Sequence, residues 1–258
     1  MADHQVGHEP FDERSRTPMY YSVQRAMAWS GVAVGVLTMA GFLLARFLPV
    51  PPGAYLSAQQ IAEFYGAHPT NTRVGLMLIS VGLSFLGPMV ALISTQMLRI
   101  RDAPASLAHL QQIGGIGVIV VTVLPAIIMN AAAFRTDRDP VAIQAINDVG
   151  WLLFITAIGL FWCQEVPIGV AILMDRSAKP VFPRWVGYVN LWVPLSFLPA
   201  LLAYFFTTGP FSWQGILVFY LGLGTFGLWA GVMIWALLRA VGDEEANAKA
   251  GFTAGSGA

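Results

Sequence analysis

The chain has 258 residues, of which 56% are hydrophobic and only 11% charged, and its mean hydropathy is +0.65. The 14 basic side chains balance the 14 acidic ones, and this neutral composition gives no indication of a nucleic-acid partner. The single cysteine, Cys163, excludes an intrachain disulfide framework, an iron–sulfur cluster and CxxC redox chemistry.

Six long apolar segments, separated by short polar loops, indicate a polytopic membrane protein. A helix needs about 20 apolar residues to cross the ~30 Å hydrocarbon layer, and each segment is long enough. We therefore predict an all-α bundle of six transmembrane helices with both termini cytoplasmic, forming one membrane domain over residues 27–241. The predicted segments are 27–48, 74–98, 107–134, 149–174, 185–206 and 214–238.

The two ends of the chain are polar. Residues 1–26 do not resemble a secretory signal, because the first apolar run is long and is followed by prolines rather than by a small-residue cleavage site. We predict a flexible cytoplasmic tail there. Residues 242–258 are small and polar, which predicts a disordered cytoplasmic tail.

The first connection on the predicted outer side contains a helix-start signal. Ser57 followed by Gln60 is a capping-box pattern. Ile61, Phe64 and Tyr65 then follow at helical spacing. These features predict a short amphipathic helix over about residues 57–68 on the outer face.

Five prolines lie in the middle four segments: Pro88, Pro125, Pro167, Pro194 and Pro199. Each proline removes a backbone donor and frees the carbonyl four residues earlier. Two interpretations are open. The helices either kink and pack tightly, or they surround a central pocket lined with exposed carbonyls.

Glu165 is the most unusual residue for its position, because it lies near the centre of the fourth segment. A charge at that depth costs at least ~2.5–3.5 kcal/mol, and such residues usually face the interior of the bundle. Its potential partners include Gln164 and Asn190. A hydrogen bond to another helix is one interpretation. The others are a proton carrier, a general acid, or a polar anchor for a lipid-like ligand.

Three further polar residues are candidate ligand-binding positions at the predicted outer side. Arg73 and Asp148 begin long apolar helices, and a pair between them is one hypothesis. Asn130 lies near the end of the third segment, where an interhelical hydrogen bond is expected.

The distribution of positive charge predicts the orientation. With the N-terminus inside, ten Lys and Arg residues lie on the inner side and four on the outer side, which favours cytoplasmic termini in the cell membrane. The four outer residues are Arg46, Arg73, Arg135 and Arg138.

No metal-binding or cofactor-binding motif is present in the sequence. His68 and His109 fall on opposite sides of the membrane, so they do not form a haem ligand pair, and no HExxH pattern occurs. We therefore predict no metal, no cofactor, and unknown catalytic residues.

Three stretches together resemble an uncharacterised family of bacterial six-span integral membrane proteins. They are IAEFYGAHPTNTRVG (61–75), FRTDRDP (134–140) and KPVFPRWVGYVNLW (179–192). The resemblance covers most of residues 27–240 and implies six spans. The family has no established activity, so the resemblance assigns no catalytic residue.

Three functions are compatible with these patterns. The first is binding or transport of a small apolar or lipid-like molecule in a central cavity near Pro88, Pro125, Glu165 and Asn190. The second is an accessory or scaffold subunit that binds a membrane protein partner. The third is an intramembrane enzyme with Glu165 as its acid, which we rank last because no second ionisable group lies at that depth.

Overall fold

The computed structural model describes residues 17–255, with side chains to residue 250. This part of the chain is helical and contains no strand, which confirms the all-α prediction. The α-helices are α1 (Pro18–Leu44), α2 (Ala58–Ala67), α3 (Pro69–Ser84), α4 (Leu86–Met97), α5 (Ala105–Phe134), α6 (Pro140–Thr156), α7 (Ile158–Met174), α8 (Arg184–Ser196) and α9 (Leu221–Gly255). A 3₁₀ helix (Leu198–Tyr204) follows α8, and a π-helix (Ile216–Tyr220) precedes α9.

Six continuous or nearly continuous helical stretches are long and apolar enough to cross a membrane, so the protein is a multi-pass membrane protein. They match the six predicted segments. The spans are Pro18–Leu44, Pro69–Met97, Ala105–Phe134, Pro140–Met174, Arg184–Tyr204 and Ile216–Ala250.

The six spans form a closed bundle. Each span packs against the next one in the chain, and α1 packs against α9 to close the ring. We call the end that carries the start of α1 and the end of α9 the termini face. The opposite end, which carries α2, is the α2 face.

Glycine allows the first two spans to approach to backbone contact. A Cβ atom added to Gly75 in α3 would lie 2.6 Å from the carbonyl oxygen of Gly41 in α1, and it would also collide with the backbone nitrogen of Ala45. Small residues at such crossings let membrane helices pack closely, because lipid offers no hydrophobic drive for their association.

The amphipathic helix is present, but its apolar face packs on protein. Both bonds of the predicted capping box between Ser57 and Gln60 form. Ile61 and Tyr65 are buried in a small apolar cluster with Ile143 of α6. The helix therefore covers the α2 face of the bundle.

Helices extend into both predicted tails within the described residues. Helix α1 begins at Pro18, nine residues before the predicted first segment, and α9 continues through the predicted disordered tail to Gly255. The two extensions hold each other, since Arg25 pairs with Glu245, which also bonds Lys249 at 2.8 Å. The tail residues 1–16 and 256–258 lie outside the described residues.

Candidate ligand-binding site

Four of the six spans depart from regular α-helix in their course across the bundle. The second span breaks at Phe85, the fourth at Ala157, and the fifth changes to a 3₁₀ helix after Phe197. The sixth begins with the π-helix Ile216–Tyr220. Irregular backbone at membrane depth is tolerated only where it is buried in protein or lines a cavity. These breaks are therefore expected either to be buried between helices or to line a cavity.

An apolar cavity of about 90 Å³, the central cavity, lies among these breaks. All six spans contribute to its wall, which includes Leu83 near the Phe85 break and Ile158 directly after the Ala157 break. Its lining residues are Thr38, Phe42, Leu83, Thr122, Phe154, Ile155, Ile158, Phe161, Ser196, Phe197, Ala200, Leu217, Val218, Phe219, Gly222, Leu223 and Phe226.

Two groups of aromatic rings bound the central cavity. On one side, the ring of Phe42 lies 6.0 Å from that of Phe154 and 5.9 Å from that of Phe219. On the other, Phe161 lies 5.0 Å from Phe197 and 6.0 Å from Phe226. Offset and edge-to-face ring contacts of this kind add about 0.5–1.5 kcal/mol each beyond their buried area. The cavity wall is therefore firmly packed on both sides.

The cavity carries no charged side chain and only three hydroxyl groups. The Thr122 hydroxyl donates to the carbonyl of Val118 at 2.7 Å, and the Ser196 hydroxyl contacts that of Thr225 at 2.9 Å. The Thr38 hydroxyl is buried and has no hydrogen-bond partner among the described residues. A guest in this cavity would be uncharged and mainly apolar, with one oxygen or nitrogen at most near Thr38.

One side of the central cavity reaches the outer surface of the bundle. Leu217 of the π-helix belongs to the cavity wall and is 37% exposed. Its neighbour Ile216 is 65% exposed. Leu217 therefore separates the cavity from the surface that faces lipid in a membrane bundle.

Glu165 and Gln164, two of the predicted ligand-binding residues, lie in α7 and do not line this cavity. Glu165 is fully buried, and neither of its carboxyl oxygens has a hydrogen-bond partner among the described residues. Gln164 lies against Gly115 of α5, and its amide nitrogen also lacks a partner there. Glu165 does not line the central cavity. Its role in ligand binding stays a prediction.

Asn190 holds two neighbouring helices together. Its side-chain nitrogen donates to the carbonyl of Val186 at 2.9 Å, and its side-chain oxygen accepts from the indole of Trp229 in α9 at 2.9 Å. The residue is fully buried and does not line the central cavity. These bonds indicate a structural role between α8 and α9.

The structure brings two of the three predicted residues near the α2 face, Asn130 and Arg73, into contact. Asn130 donates to the backbone carbonyl of Arg73 at 3.4 Å, and the Arg73 side chain donates to the carbonyl of Pro69 at 3.2 Å. Within residues 17–250, Arg73 and Asp148 form no ion pair, which contradicts that hypothesis. Asp148 accepts instead from the neighbouring Asn147 at 3.2 Å.

Asn147 connects α6 to the amphipathic helix. The phenol of Tyr65 donates to the Asn147 side-chain oxygen at 3.1 Å. Burial raises the pKa of the Tyr65 phenol well above its ordinary value, and the nearby Asp148 carboxylate raises it further. The phenol therefore stays protonated and fixes α2 on the bundle as a hydrogen-bond donor.

A buried polar network at the termini face was not predicted from the sequence as a unit. Gln96 of α4 donates to Gln24 of α1 at 2.6 Å and to Glu244 of α9 at 3.1 Å. Arg99 lies 3.3 Å from the same Glu244 carboxylate and also bonds Gln96. The composition of residues 242–258 predicts disorder at Glu244, so the sequence offers no reason to place it beside Arg99.

Comparison with known protein families, curated proteins and solved structures finds no match for this chain. Its function is therefore inferred from its own geometry. Among the described residues, no three His, Cys, Asp or Glu side chains lie close enough together to hold a metal ion.

Proposed function

We propose that this multi-pass membrane protein binds a small apolar or lipid-like molecule in the central cavity. One observation carries the proposal: the discontinuities of four spans lie around an apolar cavity whose wall includes the surface-exposed Leu217. Ligand sites in membrane proteins are commonly formed where helices are discontinuous. The aromatic walls and the absence of charge in the lining suit an uncharged guest.

The size of the cavity narrows the class of guest. About 90 Å³ of free space accommodates the end of one acyl chain, but not a whole phospholipid. The Thr38 hydroxyl, which has no partner among the described residues, can bond one polar end of such a molecule. Transport of the same guest would follow if the spans bend at their breaks and expose the cavity to one side of the membrane and then to the other.

Filling the cavity is expected to abolish binding. Gly222 lines the cavity, and the nearest atom to a Cβ added there is 4.0 Å away, so Gly222→Leu introduces four carbon atoms into free space without a backbone collision. Thermal unfolding is measured with straight-chain alcohols from hexanol to dodecanol. A ligand at a hundred times its Kd stabilises the wild type by about 2.7 kcal/mol. Gly222→Leu is expected to show none of this stabilisation.

The matched control for this experiment is Gly224→Leu. Gly224 lies two residues further along the same helix, is exposed, and has no atom within 4 Å of an added Cβ. It carries the same side-chain change on the lipid side, so it should respond to the alcohols like the wild type. Equal stabilisation of both variants would contradict the proposed site, because the effect would then come from the detergent or the surface.

We also propose that the protein lies in the cell membrane with both termini cytoplasmic. The support is the excess of Lys and Arg at the termini face, where eight of the described residues lie, against four at the α2 face. Green fluorescent protein, which folds in the cytoplasm, is expected to fluoresce when fused after Ala258. Alkaline phosphatase at the same position should be inactive; the opposite pair of results would reverse the orientation.

A further inference from the structure

A second cavity lies at the termini face and differs in chemistry from the central cavity. It encloses about 500 Å³ between the end of α4, the loop that precedes α8, and the last turns of α9. Its wall contains three cationic side chains, Arg99, Lys179 and Arg239, and one acidic side chain, Asp243. We call it the basic cavity. None of its lining residues belongs to the central cavity.

Two of the three cations remain available to a ligand. Arg99 is held by Glu244 at 3.3 Å. Arg239 lies 3.5 Å from Asp243, but both side chains are more than half exposed, so this pair is weak. Lys179 forms no ion pair or hydrogen bond with any described residue, and its side chain is exposed. The cavity therefore presents an excess of positive charge.

An aromatic surface continues from the basic cavity along the outside of the bundle. The guanidinium of Arg239 lies 5.7 Å from the ring centre of Trp235. Trp235 in turn packs against Trp185 of α8, with ring centres 5.3 Å apart. Both indoles are nearly half exposed, and Trp192, two helical turns beyond Trp185, is 70% exposed. Exposed tryptophan beside arginine at the end of a membrane helix is typical of the lipid headgroup region.

We propose that the basic cavity binds the phosphate headgroup of an anionic phospholipid. Lys179 and Arg239 contact the phosphate, and the acyl chains extend along Trp185, Trp235 and Trp192. The phosphate is a strong acceptor for charged nitrogen donors, and basic pockets between membrane helices favour anionic headgroups. The aromatic surface distinguishes a lipid from free phosphate, since a free anion would make no use of it. This site is independent of the guest proposed for the central cavity.

The test compares two double variants by native mass spectrometry of the full-length protein in detergent. Dipalmitoyl phosphatidylglycerol, dipalmitoyl phosphatidylcholine and inorganic phosphate are titrated separately. Removing each cation is expected to weaken phosphatidylglycerol binding about fivefold, so Lys179→Gln with Arg239→Gln should weaken it roughly 25-fold. Asp243→Asn should strengthen it, because the competing carboxylate is lost. Phosphatidylcholine and inorganic phosphate should bind more weakly than phosphatidylglycerol to the wild type.

The control variant is Arg101→Gln with Arg176→Gln. It removes the same number of positive charges from the same face, and both side chains are exposed and outside the cavity wall. It should bind phosphatidylglycerol like the wild type. The proposal is overturned if both double variants weaken binding equally, or if neither does. It is also overturned if inorganic phosphate or phosphatidylcholine binds as tightly as phosphatidylglycerol.

Discussion

Replacing Glu244 with glutamine is expected to lower the free energy of unfolding by roughly 2–4 kcal/mol, because it removes a buried carboxylate that bonds both Arg99 and Gln96. Glu244 is buried and joins α9 to Arg99 and Gln96 of the second span. Breaking a buried pair by removing one member costs more than the pair contributes when both are present. Thermal unfolding in one fixed detergent measures the loss.

Asp243→Asn is the matched control for Glu244→Gln. Asp243 precedes Glu244 in the chain and pairs with Arg239, but its side chain is 62% exposed. An exposed pair contributes about 0–1 kcal/mol, so this variant should unfold close to the wild type. Combining Glu244→Gln with Arg99→Gln should cost less than the sum of the two single losses, since the two side chains contact each other. Equal losses for Glu244→Gln and Asp243→Asn would contradict the buried network.

Gly75→Ala is expected to lower the free energy of unfolding by about 2–3 kcal/mol, because the added methyl group has no space between α3 and α1. The nearest atoms belong to the backbone at Gly41 and Ala45, so rotation of a side chain cannot relieve the collision. Elsewhere in a helix, the same substitution stabilises by about 0.5–1 kcal/mol. A decrease in the free energy of unfolding would therefore indicate that α1 and α3 approach closely at Gly75.

Gly35→Ala tests that contrast in α1 itself. Gly35 is exposed and has no atom within 4 Å of an added Cβ, so its substitution should be neutral or slightly stabilising. If Gly75→Ala behaves in the same way in thermal unfolding, the first and second spans do not touch through their backbones as described.

The spans could be predicted from the sequence because lipid requires that every backbone polar group be satisfied within the helix, which demands long apolar runs. Their ends could not. Residues 20–25 are too polar to be counted in the first apolar segment, yet they belong to α1. Hydropathy indicates which residues can lie in lipid, but it does not indicate where a helix continues beyond the lipid. The partners that hold the last turns of α9, such as Arg25 with Glu245, are distant in the sequence.

The positions of the prolines predicted some of the helix breaks but not others. Pro88 and Pro194 lie close to the breaks at Phe85 and Phe197, whereas Pro125 lies inside the continuous helix α5. The break at Ala157 has no proline near it, so the sequence carried no signal for it. The proline positions therefore indicate that some helices bend, but they do not indicate which bends lie next to each other in the bundle.

The lining of the central cavity could not be predicted from the sequence for a different reason. Its wall is built mainly from Phe, Leu, Ile and Val, the residue types that also face lipid. Sequence analysis favoured Glu165 because a polar residue in an apolar segment is conspicuous. Which apolar side chains face an empty space depends on the crossing of all six spans, and no single segment encodes it.

Native mass spectrometry of the protein gently extracted from its own membrane tests the central claim most directly. The wild type and Gly224→Leu are expected to retain a small apolar or lipid-like molecule, and Gly222→Leu is expected to lose it. The same molecule retained by all three proteins, or nothing small retained by the wild type, would contradict ligand binding in the central cavity. A retained membrane protein in place of a small molecule would indicate an accessory subunit.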